Sequence, residues 1–474
     1  MAGLCLCLSS GGCRDGTLLS PETSGGVAAE LIETEPVICL NPEDRDTLGP
    51  FDRPDFGSQW ASQLYGNTTE ETRRDSAGMA VADLTGDGRY EIVLPNKSTS
   101  FVFRLEPDGS MTDLSDALLP NRDENQFWGA SAADVDGDGD MDLFMQAVGL
   151  HNQVYLNDGQ GGLESHLLMD DELSRVYASK GSAWGDMDGD GDLDLIVSNE
   201  TNTSDEDNYN PPNDGPPNQI YENLGNLDFH LREDILNHEA DHGYTFLSAW
   251  LDIDNDVDQD LYLVNAFGEK VYPNQLLLNK GQGLFESASE SSPLHVAMDG
   301  MGLGVGDMNH DSYPDLLVTD WGRLYLMESL DGETWYDTAP ARGLSLDPEG
   351  DRIIAWGAEL QDIDNDADLD AIVAFGLSYR ALRKNKEQPL EQPDAIWLQD
   401  ENGEFQQVAD DWGMGDTGGG RGFVVVDLNE DGFLDLVKRE LYEPATLYLS
   451  RCSASNWLKV RLSHPAPNTY AVGA

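Results

Sequence analysis

The sequence predicts an all-β chain folded as a seven-bladed β-propeller. Three observations carry that prediction. An acidic motif returns seven times, its copies are 51 to 66 residues apart, and each interval holds enough β-rich, turn-marked sequence for about four strands. This spacing is too long for ankyrin or leucine-rich units and suits a propeller blade.

The fullest copies of the motif are 134–142 (D-V-D-G-D-G-D-M-D) and 186–194; others begin at Asp83, Asp252, Asp307, Asp362 and Asp427. A short run of small and apolar residues precedes each acidic loop, as at 302–306 and 423–426, and predicts the first strand. A β-rich run follows it, as at 195–197, 261–264 and 316–318, and predicts the second. Segments such as 154–159 and 276–281 then supply a third strand and the Asn- and Gly-bearing turn into a fourth. Trp184 and Trp250 stand two residues before the first Asp of their loops, and Trp128 and Trp356 stand six before. Even offsets predict that all four share one strand face and pack between blades.

Carboxylates only a few ångströms apart repel by about 1 to 4 kcal/mol per pair, so a folded loop of this kind calls for a cation. The pattern D-x-D-x-D-G-x-x-D offers side-chain oxygens at positions 1, 3, 5 and 9, a backbone carbonyl near 7 and a turn-permitting Gly at 6. Hard oxygens in a flexible arrangement suit Ca²⁺ better than the tighter octahedron of Mg²⁺. The predicted ligands are Asp83, Thr85, Asp87 and Glu91 in the first loop and Asp134, Asp136, Asp138 and Asp142 in the second. They are Asp186, Asp188, Asp190 and Asp194 in the third and Asp252, Asp254, Asp256 and Asp260 in the fourth. The fifth offers Asp307, Asn309, Asp311 and Asp315; the sixth Asp362, Asp364, Asp366 and Asp370; the seventh Asp427, Asn429, Asp431 and Asp435. Loops two and three match throughout and loop seven is close. Val257, Ser312 and Ala367 replace the Gly in loops four, five and six, and loop one carries Thr85 and Glu91. About five to seven structural Ca²⁺ are expected. An EF-hand is excluded, because position 12 is apolar (Met145, Val197, Val318, Val373) and strands, not helices, flank the loops.

The chain has 474 residues, with 89 acidic against 27 basic, a formal charge of −62. That balance excludes nucleic-acid binding through phosphate contacts and argues against docking on anionic membranes. No apolar run is long enough to cross a bilayer. A hydrophobic fraction of 39% with ten Trp excludes an acidic disordered chain. The seven loops hold 30 carboxylates and one basic residue, Arg89, so nearly half of the excess charge lies in them.

Residues 50–454 are assigned to the propeller, 1–49 to an export-signal remnant and linker, and 455–474 to the start of a C-terminal β domain that is truncated here. The opening ends in Ser10-Gly11-Gly12-Cys13 and resembles the tail of a lipoprotein signal with Cys13 as lipid anchor, although it is short and lacks Lys and Arg. The other reading is a plain N-terminal extension. Too little chain follows Asp435 to complete the last blade and begin the tail, so its outer strand is expected from the N-terminal side, near 50–60. Cys39 and Cys452 fall near that seam, either bonded or as free thiols. Two insertions, 199–218 and the basic 378–394 with Arg380, Arg383, Lys384 and Lys386, read as surface loops. N-x-S/T sequons at Asn67, Asn96, Asn199 and Asn202 suit a secreted surface.

The segment 238–242 spells H-E-x-x-H, the zinc-peptidase motif with Glu239 as base. It falls between blades, is followed at once by Gly243, and lacks the longer helix and third ligand of a peptidase, so chance composition is the better account. No nucleophile elbow, paired C-x-x-C or phosphate-cradling loop occurs. The glycines of 418–422 precede an inner strand and are read as backbone crowding near the central channel.

These units resemble the FG-GAP, or VCBS, repeats of integrin α-chain propellers and of many secreted bacterial proteins. The strings G-M-G-L-G-V-G-D-M-N at 300–309 and P-D-L-L-V-T-D at 314–320 are similar to the cartilage acidic protein family. S-N-W-L-K-V-R-L at 455–462, with Asn468 and 472–474, resembles the opening of the ASPIC and UnbV domain that follows the propeller there. The resemblance covers roughly residues 50 to 474. The expected protein is a non-enzymatic, extracytoplasmic, calcium-stabilised module, secreted or at the cell surface, that binds or adheres to an extracellular protein or glycan. Weak calcium sites fill outside the cell, where affinities of about 0.1 to 1 mM suffice. The alternatives are a non-catalytic scaffold for a fused or partner enzyme and a zinc hydrolase using the 238–242 segment.

Overall fold

The computed structural model describes residues 28–31, 51–52 and 78–472. Within the last range, 120–121, 123–125, 148–149, 160–161, 167–176, 202–213, 289, 347–352, 377–391, 416, 441–443, 451–456 and 458–459 lie outside the described residues. Cys13, Cys39, Cys452, Asn67, Asn202 and the basic residues 380–386, among which are those of the expected anchor, disulfide and basic loop, fall outside the described residues.

Seven antiparallel four-stranded sheets form the blades, and the chain runs from the inner strand outward through all four strands of six blades and through three of the seventh. In the second blade the order is Phe127–Ala133, Asp142–Ala147, Gln153–Asn157 and Leu163–His166. The other inner strands are Ala80–Ala82, Ala178–Gly185, Thr245–Leu251, Gly302–Gly306, Ala355–Gln361 and Gly420–Val426. Second strands such as Asp260–Asn265 (DLYLVN) are buried at every position because both faces of each blade are covered by neighbours. Alternate residues serve opposite neighbours: Leu195 and Val197 pack on Phe144 and Val154 of the second blade, while Ile196 packs on Leu261 and Leu263 of the fourth. No helix of the described residues is long and apolar enough to cross a membrane.

The seventh blade closes as its length requires. Phe51–Asp52 is its outer strand, with Phe51 opposite Ser450 and Asp52 opposite Leu449. Separately, Ala28–Leu31 pairs with Val460–Ser463 as a two-stranded ribbon. Inner strands approach so closely that a Cβ on Gly357 would lie 2.7 Å from Gly422 Cα, and one on Gly78 would lie 2.7 Å from Gly129 Cα. Glycine is needed there for approach, in agreement with the reading of 418–422.

Two expectations need correction. Trp184 and Trp250 do pack between blades: Trp184 meets Phe144 of the preceding blade edge-on, and Trp250 donates its indole N–H to the Ala183 carbonyl of the preceding blade at 3.2 Å. Trp128 and Trp356 leave that shared face, because register shifts between Phe127 and Gly129 and between Ala355 and Ala358 break the alternation, and they meet other blades at the far end of the inner strands instead. Similar shifts fall at Lys180, Phe246 and Arg421. A bulged residue leaves the pleat and is re-aimed. Here the five meet across the ring: Lys180 Nζ lies 3.2 Å over Trp128, Phe246 packs on the cluster of Trp128 and Ala178, Phe246 lies 6.0 Å from Trp356, and Arg421 lies 3.9 Å over Trp356. They close the axis at the end opposite the acidic loops. The second correction concerns Asn199, which is fully buried and donates through its side chain to the Pro217 carbonyl at 2.8 Å, so it is no surface sequon.

Candidate metal centres

Each acidic loop joins an inner strand to the second strand of its blade, and one hydrogen-bond pattern recurs in all seven. The position-1 carboxylate accepts the N–H of position 6, as from Gly139 to Asp134 and from Val257 to Asp252. Position 5 accepts the N–H of position 7, as from Asp140 to Asp138. Position 9 accepts the N–H of position 2, as from Val135 to Asp142 at 2.7 Å. Positions 4 and 6 are left-handed throughout: Gly137 and Gly139 have φ of 73° and 100°, and Asn255 and Val257 hold the same places at 60° and 81°. Val257, Ser312 and Ala367 therefore adopt the glycine conformation in place of a different loop.

The structure brings positions 1, 3 and 9 together in four loops. One oxygen each from Asp134, Asp136 and Asp142 lies within 4.8 Å of the others, and the same holds for Asp186, Asp188 and Asp194, for Asp252, Asp254 and Asp260, and for Asp362, Asp364 and Asp370. Loops five and seven have Asn309 and Asn429 at position 3, so no three-carboxylate group forms there. Position 5 stays outside the triads, capping backbone.

The position-9 carboxylates are fully buried. Burial pushes Asp194, Asp370 and Asp435 up to about 8 and Asp142, Asp260 and Asp315 up to about 7, despite two backbone N–H donors to each, and in all six the neighbouring carboxylates add to the rise. Asp254 Oδ1 and Asp364 Oδ1 are buried oxygens that accept no hydrogen bond. An anionic oxygen left without a donor beside two further carboxylates is the arrangement a cation site presents to its ion. The donor set, all hard oxygen, fits Ca²⁺.

The first loop solves the problem differently. Arg89 lies 2.5 Å from Asp87, and Arg104, from the next strand, lies 2.9 Å from Asp87 and 3.6 Å from Glu91. Burial raises the Asp87 carboxyl, but the two guanidinium groups outweigh it and hold it below the usual carboxylate range. Positive charge already stands among these ligands.

Sequence reasoning missed a second set of residues. Asn157, Asn223 and Asn279 end their third strands, and their backbone N–H groups donate to Asp142, Asp194 and Asp260 at 2.7 to 2.8 Å. Their side chains also strap two acidic loops together. Asn279 Nδ2 donates to Met187 O in the preceding blade's loop at 2.7 Å and to Gln259 O in its own at 3.0 Å; Asn157 does the same with Leu84 and Met141. The recurring Asn is visible in the sequence, where it reads only as a turn residue.

The 238–242 segment forms a single helical turn, His238–Asp241, capped by the Asn237 side chain. The two imidazoles stack at 4.7 Å with planes 30° apart, so their in-plane lone pairs run side by side. His238 Nε2 lies 3.4 Å from Asp214, and His242 Nδ1 lies 3.2 Å from Asp241.

A family model described as FG-GAP-like repeat matches residues 83–145 and 252–318. The chain is similar to cartilage acidic protein 1 of Xenopus tropicalis, 23% identical over 425 residues, which cover 81% of this chain and 61% of that protein. It is similar to the Mus musculus protein at 23% over 429 residues, with the same coverage. The chain thus spans 61% of the length of these relatives. Among solved structures, the BBS1N chain crystallised in complex with ARL6DN aligns with a TM-score of 0.49 and 10% identity, over 81% of this chain and 94% of that one.

Proposed function

We propose, for a chain that belongs with the FG-GAP-repeat propellers related to cartilage acidic protein 1, that it is an extracytoplasmic, calcium-stabilised binding module without catalytic activity, recognising a protein or glycan. The observation that carries this reading is the repeated acidic loop, with one hydrogen-bond pattern in seven places and buried carboxylate oxygens in loops four and six that lack a donor. Bound Ca²⁺ would supply charge neutralisation at positions 1, 3 and 9 in loops two, three, four and six. In loops five and seven, Asn309 and Asn429 would replace one carboxylate with an amide oxygen. The first loop needs no ion.

Each filled site stabilises the folded chain by RT ln(1 + [L]/Kd), about 1.4 kcal/mol at a tenfold excess of ligand over Kd. Such a rigid ring leaves the loops at the opposite end free to carry recognition. The stacked His238–His242 pair favours a structural role for that segment over zinc hydrolysis. A second reading, a scaffold for the chain that follows the propeller, is favoured by the contact of Thr469 and Tyr470 with the second loop.

Two measurements test the proposal. Elemental analysis of the purified chain is expected to find four to six Ca per chain, at the sites named above, and chelation to lower the Tm; fewer than about three ions would refute the calcium role. A pull-down from extracellular matrix and cell-surface extracts, with calcium and with chelator, is expected to recover a partner only with calcium. Hydrolytic activity lost in His238→Ala would overturn the non-catalytic assignment.

A further inference from the structure

Among the seven position-1 carboxylates, only Asp134 is buried, at 3% exposure. What covers it is the chain's own C-terminal segment. Thr469 Oγ1 donates to Asp134 Oδ2, and Tyr470 Oη donates to Gly139 O at 3.0 Å. Pro467 lies over the loop so closely that a Cβ on Gly137 would come 2.8 Å from its Cα, and its ring reaches to 3.3 Å from a Cβ on Gly191 in the third loop. Trp457, earlier in the same stretch, covers Gly432 of the seventh loop. The segment is internally shaped for this seat: Asn468 is buried, its Nδ2 donates to Val472 O at 2.9 Å and its Oδ1 accepts Val472 N–H at 2.8 Å.

The hydroxyl of Thr469 therefore meets an oxygen of the Asp134–Asp136–Asp142 triad from outside the loop. A hydroxyl donating to a ligating carboxylate fixes its rotamer and orients it toward an ion, as second-layer partners of metal ligands do. Conversely, an ion among the three carboxylates removes the repulsion that would otherwise spread the loop, and keeps the Gly137–Gly139 backbone in the shape on which Pro467 and Tyr470 rest.

We propose that the 464–472 segment and the cation of the second loop are mutually dependent: Thr469 is a positioning residue for Asp134, and ion binding in this loop latches the segment onto the acidic face. Any effect of the ion on docking must be returned as an equal effect of docking on ion affinity. The proposal rests on the calcium reading above.

The test is hydrogen exchange of the full chain, followed at the amides of Thr469, Ala471 and Val472, which all donate within the segment. Exchange is expected to be about tenfold slower with millimolar calcium than with chelator, within the usual range of coupling between sites. Asp136→Asn is expected to abolish the difference, and Asp254→Asn, in a loop with no described hydrogen bond to the segment, to preserve it. Thr469→Val is expected to weaken one calcium site about three- to tenfold and leave the others unchanged, with Thr469→Ser restoring it. Equal exchange with and without calcium, in a chain that elemental analysis shows to hold calcium, overturns the latch and leaves the calcium reading standing. A chain without calcium overturns both.

Discussion

Asp142 Oδ1 accepts the backbone N–H of Asn157 at 2.8 Å while its Oδ2 accepts that of Val135 at 2.7 Å. Both oxygens of the position-9 carboxylate are thus engaged with backbone, one joining the loop to itself and the other joining it to the third strand. A carboxylate has about four acceptor directions, so room for a cation remains. Position 9 therefore has two roles, while position 3 is placed chiefly as a ligand.

The two roles separate by mutation. Asp194→Asn turns an amide toward at least one of the Met187 and Asn223 N–H groups, and a buried unmet donor costs about 1 to 3 kcal/mol. Its Tm is expected to fall with calcium and with chelator alike. Asp188→Asn is expected to lower the Tm only when calcium is present. Scanning fluorimetry in both buffers decides; parallel behaviour of the two variants would erase the distinction.

Arg89 and Arg104 should behave as an internal counter-ion. The double variant R89Q/R104Q is expected to lose stability in chelator and to gain one Ca per chain by elemental analysis. A wild-type count of seven would show that the guanidinium groups do not displace an ion.

Val257 holds a left-handed conformation at φ 81° with its side chain 76% exposed, so it returns little packing for its strain. Such strain costs about 1 to 3 kcal/mol, and glycine loses about 0.5 to 1 kcal/mol through backbone entropy. Val257→Gly is expected to raise stability by about 1 kcal/mol in urea titration, and Val257→Ile to give no gain.

Glu359 pairs in register with Ile372, which packs in the cluster between the sixth and seventh blades. Burial alone pushes its carboxyl up to about 8. The folded chain then keeps a proton that the unfolded chain releases near pH 4.5, so stability is full below that pH and declines as pH rises toward 8. Glu359→Gln removes this slope. Relative to wild type, it is expected to gain roughly 2 to 4 kcal/mol between pH 5 and pH 8, since one proton held by the folded chain alone costs about 1.4 kcal/mol for each rise of one in pH. Denaturation curves at the two pH values measure it; an unchanged slope would refute the assignment.

The features legible in the sequence were those written locally. The acidic repeat gave blade number, strand order and loop position, and the length after Asp435 gave the N-terminal outer strand. What escaped depended on partners distant in sequence or on a single-residue offset. Arg104 reaches the first loop only because the second and third strands of that blade pair. The alternation that placed Trp184 correctly misplaced Trp128, because a bulge adds one residue without altering composition. Asn279 carried a visible signal, but its reach to Met187, 92 residues earlier, is a tertiary fact.

Pairing Phe51 with Ser450 has a consequence for biosynthesis. The nascent chain emerges with the outer strand of its last blade already made, and that strand has no partner until nearly the whole propeller has followed. Six blades can form in turn from neighbouring sequence, but the ring remains an open arc until about four hundred residues have been threaded past. During that interval the unpaired Phe51–Asp52 strand is a natural point of capture for a chaperone or for a wrong partner, and the edge of Thr446–Ser450 becomes one as soon as it is made.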